Sequence, residues 1–251
     1  MSVALSSYIA SGILVLAQLS VAQTTLTVAA ASDLTNLEPA LAQQFEKTNP
    51  ASDLRVRFVT AASALLSEQI ENGAPYDVFL SANAQFVDRL GSSRKVLPES
   101  IRTYAIGRVG IVWSDGKRHE LKDLAQNWVR FVAVPNPKLA PYGAAAVEAL
   151  EHAGMWKEIQ PKVVYGENVR QALELFESGN ADAVLTSASL LQGKNLELLP
   201  ADWHASIVQK AGIVANSRNR GAAEQFLSFL LSPAGQAVFA QFGFGPPSPK
   251  P

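Results

Sequence analysis

Cysteine is absent from the 251-residue chain, which removes disulfides, thiolate nucleophiles and cysteine-based metal sites. Histidine is scarce. His119, His152 and His204 lie far apart, in charged or helical surface-like contexts, whereas a side-chain metal centre needs a His/Asp/Glu cluster. No direct side-chain metal ligands are therefore expected. Charge of one sign never accumulates: 21 Lys and Arg face 22 Asp and Glu, for a formal net charge of -1. A nucleic-acid partner leaves a basic patch or stripe, and none is present. Also missing are a Gly-x-Ser-x-Gly elbow, a phosphate-cradling glycine loop ending in Lys, and a His-Glu-x-x-His helix. Gly243-Phe244-Gly245 runs into prolines, so it cannot open a helix as a dinucleotide loop does.

What is present builds a core. Hydrophobic residues make up 48% of the chain and charged residues only 17%, a balance that disfavours disorder. The uncharged segment Met1 to Ala22 holds an apolar stretch from Ile9 to Leu19 and ends in Ser20-Val21-Ala22. Small residues at those two positions are what a signal peptidase reads, so residues 1–22 are expected to be a secretory signal peptide, with Gln23 as the mature N-terminus. Its n-region lacks Lys and Arg, and the alternative is an N-terminal membrane anchor. The apolar run is short of the ~20 residues of a span, and no later segment is long and apolar enough.

Beyond residue 22, strand-like and helix-like segments alternate. Leu26 to Ala30 reads as a strand. Leu37, Ala40, Leu41 and Phe45 form one helical face. Leu54 to Val59 alternates with period two, Ser63 opens a helix stopped at Gly73, Tyr76 to Leu80 is a short strand, and Gln85 to Leu90 looks helical. A second block starts near Tyr104. It has a strand from Ala105 to Trp113, a helix from Leu121 to Asn127 and a strand from Phe131 to Val134. Pro135, Pro137 and Pro141 impose an irregular loop. Then come a helix from Gly143 to His152, a strand Val163 to Tyr165, a helix Asn168 to Ser178 capped by Gly179, and a strand Ala183 to Leu185. Ile207 to Ala215 is extended, and helices follow over Ala222 to Leu231 and Pro233 to Phe242. The pattern predicts mainly parallel sheets with helices on both faces, and enough strands for two α/β lobes with a ligand cleft between them. Ligands in such folds sit beyond the carboxyl ends of strands.

Four strand-to-helix junctions stand out: Ala31-Ser32-Asp33, Ala62-Ser63-Ala64, Pro141-Tyr142-Gly143 and Glu167-Asn168-Val169. A helix start carries unpaired N–H groups and a partial positive charge, so it binds anions without Lys or Arg. Ser and Asn there are also ordinary N-caps. An anion site requires several of these starts to converge.

These segments resemble the periplasmic molybdate-binding proteins of ABC-type uptake systems, over nearly all of the chain after residue 22. The resemblance is carried by Thr27 to Leu34, Gln69-Ile70-Glu71-Asn72-Gly73-Ala74-Pro75-Tyr76-Asp77-Val78-Phe79, Tyr104 to Arg108, Asn136 to Gly143 and Glu167 to Leu173. It implies a type II periplasmic binding fold of two Rossmann-like lobes. Lobe I would be 23–103 plus 212–251, and lobe II 104–211. It further implies that Ser32 and Ser63 supply hydroxyl and backbone donors, and Tyr142 and Val169 backbone N–H donors. Ser187 stands where some members have a tyrosine. Serine is too short to match that reach, so a water, the Tyr142 hydroxyl or fewer donors would complete the site. Asp33 is expected to face away from the anion, capping or pairing locally. The implied ligand is molybdate or tungstate, with no cofactor, no enzymatic activity, a monomeric state and a membrane permease as partner. Sulfate or phosphate is the alternative guest. Phosphate is disfavoured because its proton needs an acceptor that a donor-only site lacks. A hydrolase using Ser32 or Ser63 would need a nearby base, and no His is placed for it. A ligand-sensing regulator would need an attached DNA-binding module.

Overall fold

The computed structural model describes residues 24–48 and 54–247; the expected signal segment, 1–22, lies outside them. Two five-stranded mixed sheets organise the chain. The first is built from β1 (Thr24–Ala31), β2 (Leu54–Ala61), β3 (Val78–Ser81), β4 (Arg102–Gly107) and β10 (Ile207–Ile213), in the order β2-β1-β3-β10-β4. The second is built from β5 (Val109–Trp113), β6 (Val132–Pro135), β7 (Val163–Gly166), β8 (Ala183–Ser187) and β9 (Glu197–Leu198), in the order β7-β6-β8-β5-β9. Helices α1 (Glu38–Thr48), α2 (Ser63–Glu71), α3 (Ala84–Ser92), α7 (Arg220–Leu231) and α8 (Pro233–Gln241) belong to the first lobe. Helices α4 (Pro141–His152), α5 (Trp156–Ile159) and α6 (Val169–Glu177) belong to the second.

Local sequence explains most of these elements. The central strand β1 runs between β2 and β3 and is buried from Leu26 to Ala31, so it reads as a continuous apolar run. The edge strand β2 alternates partly buried Leu54, Val56 and Phe58 with exposed Arg55 and Arg57. In α1, Leu41 and Phe45 point inward, and Phe45 meets Phe226 of α7 edge-to-face at 5.2 Å. That packing fastens the C-terminal helices onto the first lobe.

The parallel part of each sheet matches the expectation, and the antiparallel part comes from the crossovers. The run from 105 to 113 is two strands, not one. β4 ends at Gly107 in the first sheet, and β5 begins at Val109 in the second. Both halves are apolar, so periodicity cannot show that the chain changes sheets at Arg108. The expected lobe boundaries at 103/104 and 211/212 cut through β4 and β10. Both strands pair with each other inside the first sheet, as in Ile207 with Gly107 and Ala211 with Arg102. The segment Leu121–Ala125 is a short 3-10 helix, shorter than the helix expected to reach Asn127. The two-residue strand β9 and the one-turn α5 carry too little pattern to be foreseen.

Candidate functional site

All four junctions lie at carboxyl ends of strands. β1 runs into a 3-10 turn, Ser32–Leu34, and β2 runs into α2. β6 leads through the proline loop into α4, and β7 leads into α6. The cap residues separate two possible uses of these starts. Ala31, Ala62 and Ala140 occupy the N-cap positions and make no side-chain cap hydrogen bond. Alanine is a poor N-cap, costing about 1 kcal/mol against Ser, Thr, Asn or Asp. Ser32 and Ser63 therefore stand one position inside their helices and do not cap them. At α6, Asn168 accepts from the N–H groups of Arg170 and Gln171, and the Val169 amide is not part of that cap.

The Ser32 turn, α4 and α6 meet at the junction of the lobes, and α2 adjoins it through the contact of Ser63 with Ala82. Ser32, Ser63, Tyr142, Val169 and Ser187 are all buried. Ala31 and Ala82 of the first lobe pack in one apolar cluster with Tyr142 and Val169 of the second. The turn at Ser32–Leu34 touches α6 and the 3-10 turn Ala188–Leu190. Ser63 Oγ accepts from the Ala82 amide at 3.1 Å, which leaves the Ser63 hydroxyl proton free to be donated. Thr186 Oγ1 donates to the Val169 carbonyl at 3.0 Å and ties α6 to β8. Gly143 is required for close approach: a Cβ there would collide with the Pro135 carbonyl at the end of β6. Beside this junction a cavity of about 310 Å³ runs between the lobes, lined by Ala82, Asn83, Pro141, Ala145 and Ile207. A larger cavity, about 420 Å³, lies away from it around Asp77. There the carboxylate is already satisfied by the Thr27 amide, Ser217 and Asn219, so that motif holds the sheet together.

Asp33 departs from expectation. Its carboxyl does not pair locally but bridges the lobes. Oδ2 accepts from the Tyr142 hydroxyl at 2.8 Å and from the Gln209 side-chain amide. The Asp33 carbonyl accepts from Ser189 Oγ. Gln209 also donates to the Tyr142 hydroxyl oxygen at 2.9 Å, and its own carbonyl accepts from Tyr104. Asp33 is 1% exposed and its Oδ1 has no partner. Burial pushes its pKa up from 3.8 to about 6, against the opposing hydrogen bonds from Gln209 and Tyr142. Tyr142 and Tyr104 are pushed well above the ordinary tyrosine value by burial and by the Asp33 charge. The single proton of the Tyr142 hydroxyl is donated to Asp33 in this structure. Ser187 itself is paired with Ser189 at 2.8 Å.

Sequence reasoning missed Gln209, Tyr104 and Ser189. One signal was available. In Ile207-Val208-Gln209-Lys210-Ala211, Gln209 shares the apolar parity of Ile207 and Ala211, and a polar residue at such a position needs a buried partner. The histidines lie elsewhere. His119 packs between Trp113 and Trp128, and His152 stacks on Trp203. Among the described residues no group of three His, Asp or Glu could hold a metal ion.

Comparison with known proteins adds an independent line. Residues 26–245 match the family described as bacterial extracellular solute-binding protein. The molybdate-binding protein ModA of Rhodobacter capsulatus is 32% identical over 194 residues, covering 75% of this chain and 77% of the relative. The solved periplasmic molybdate-binding protein of Azotobacter vinelandii superposes with a TM-score of 0.82 at 32% identity, over 89% of this chain and 100% of that one. The sulfate-binding protein SubI of Mycobacterium tuberculosis has a TM-score of 0.75 at 20% identity, over 90% and 88%. At that identity it shares the fold alone.

Proposed function

The chain belongs to the bacterial extracellular solute-binding protein family, and from that membership we propose that it captures molybdate outside the cytoplasmic membrane and delivers it to the permease of an ABC transporter. The observation that carries the reading is the meeting of side-chain-uncapped helix starts from both lobes at one buried junction. Amides of a first helical turn have no carbonyl partner within the helix and point along the positive end of its dipole. A doubly charged tetrahedral guest between them accepts hydrogen bonds from Ser32, Ser63, Tyr142 and Val169. Each charge-assisted bond contributes about 1.5–3 kcal/mol, and several together offset the desolvation of the dianion. The molybdenum is held through its oxo groups; no side chain bonds the metal. Tungstate, of nearly equal size and charge, binds the same donors. Ser187 is a weaker candidate donor because its hydroxyl is shared with Ser189.

Membership of a solute-binding family supports a binding role over a hydrolytic one, and among the described residues the histidines pack elsewhere, on Trp113, Trp128 and Trp203 or beside Ala205. The protein works as a monomer that closes around its guest, because donors from both lobes must reach it together. The closed form is what a permease distinguishes from the open one. Residues 1–22 serve as the export signal.

A thermal-shift panel with molybdate, tungstate, sulfate and phosphate tests the reading. Stabilisation grows with ligand concentration over dissociation constant, by about 2.7 kcal/mol at a hundredfold excess. Molybdate and tungstate are expected to stabilise strongly, with sulfate and phosphate well behind. A response confined to phosphate would overturn the assignment.

A further inference from the structure

The hydrogen-bonded group around Asp33 shares only Tyr142 with the anion donors, through its side chain and not its amide. Asp33 follows Ser32 on the first lobe, and Tyr142 opens α4 on the second. Their side chains meet at 2.8 Å across the cleft. Gln209 on β10 and Tyr104 on β4, both crossover strands, complete the chain of contacts. Gly107 is the last residue of β4 before the crossover. A Cβ there would strike the Tyr142 hydroxyl and stand 2.8 Å from the ring Cζ. The tyrosine thus reaches Asp33 by lying over bare backbone at the root of the cleft. The Ser189 hydroxyl adds a second cross-lobe bond, to the Asp33 carbonyl.

We propose that Asp33 is a positioning residue for anion capture: its carboxyl clasps the Tyr142 hydroxyl when the lobes close, and this bond fixes the first turn of α4 against the guest and delays reopening. The inference rests on the proposed function, because it concerns closure around the same oxyanion. Physically, moving α4 away from the Ser32 turn breaks the Asp33–Tyr142 bond. A hydrogen bond to a charged group is stronger than a neutral one, and its partner Gln209 stays with the crossover. The clasp touches no guest atom. It acts through the position of the Tyr142 amide, which the side-chain hydroxyl anchors from the other end of the residue.

The contact makes a kinetic prediction. Tyr142→Phe keeps the backbone amide and removes only the hydroxyl. Asp33→Ala removes the acceptor. Stopped-flow release of molybdate from the full protein is expected to be faster by about tenfold or more in each variant, with a smaller change in association, since such losses fall mainly on dissociation. The double variant should release about as fast as the faster single one, because both remove one shared contact. Gly107→Ala, which displaces the hydroxyl by a different route, should also accelerate release. A purely structural role would instead lower the melting temperature of the unliganded protein and leave release unchanged. If wild type retains sulfate or phosphate in place of molybdate, the same comparison is made with that ion. A wild type that binds, with variants releasing at its rate or with fully additive effects, overturns the clasp alone. A wild type that retains none of these oxyanions overturns the functional reading and the clasp with it.

Discussion

Two kinds of helix start coexist in this molecule. At α3 and α8 the side chains of Asn83 and Ser232 accept from first-turn amides. At the Ser32 turn, α2 and α4, alanine holds the cap position and no side chain accepts. α6 is intermediate, capped by Asn168 but at its second and third amides. α7 also lacks a side-chain cap, because Asn219 is turned to Asp77 instead, but it begins with exposed Arg220 and Gly221. Side-chain caps are also missing at α5 and at the short turns after Leu97 and Ser187, but the Ser32 turn, α2 and α4 combine an alanine cap with a buried first turn beside the lobe junction. Donors left without a side-chain acceptor there are available for a guest. That contrast separates an anion site from ordinary helix termination.

Three experiments break or sharpen the contrast. Replacing both Ser32 and Ser63 by Ala removes two donors of the uncapped set. Binding should weaken by about 3–6 kcal/mol, or roughly a hundredfold to ten-thousandfold, seen as loss of most of the molybdate-induced thermal shift. Full retention of the shift would mean that the site lies elsewhere.

Asp33 gives the next effect, on stability instead of binding. Its folded pKa of about 6 lies above the ordinary 3.8, so between these values the folded state holds a proton that the unfolded chain releases. The associated stability is fully present below about pH 4 and is lost as pH rises through about 6, in all about 3 kcal/mol at 1.36 kcal/mol per pKa unit. Denaturant titrations of the unliganded protein across this range should show that decline. Asp33→Asn should flatten it, and a slope unchanged by the substitution would place the titration elsewhere.

The most selective test uses proline. Val169 is the first residue of α6, where proline is well tolerated and merely deletes an N–H. Asn168 before it is already extended, at φ -147 and ψ 178, as a residue preceding proline must be. Val169→Pro should weaken molybdate binding by about 1.5–3 kcal/mol, with little change in the melting temperature of the free protein. Ala84→Pro, at the first position of side-chain-capped α3, should leave binding unchanged. Equal losses in calorimetric titrations of the two variants would erase the distinction between the starts.

Much of this architecture is legible in the amino-acid sequence. The period-two run of β2, the apolar face of α1 and the glycine-stopped α2 and α6 follow from side-chain spacing and turn chemistry. The four junctions stand out because small and hydroxyl residues recur where strands give way to helices. The split of 105–113 into β4 and β5 is not legible, since an apolar strand looks the same whichever sheet it joins. Nor is the partner of Asp33. An acidic residue in a first helical turn satisfies a local preference, and nothing in its neighbours announces Tyr142, more than a hundred residues away.

The sequence by itself determined most of the strands and helices and where strands give way to helices, because those depend on side-chain spacing and turn chemistry. Only the tertiary structure decided that these starts share one buried junction, that the crossover strands carry Tyr104 and Gln209 to its root, and that Asp33 faces Tyr142. Such pairings arise from how two sheets are laid against each other, and contacts between distant segments leave no periodic trace along a single chain.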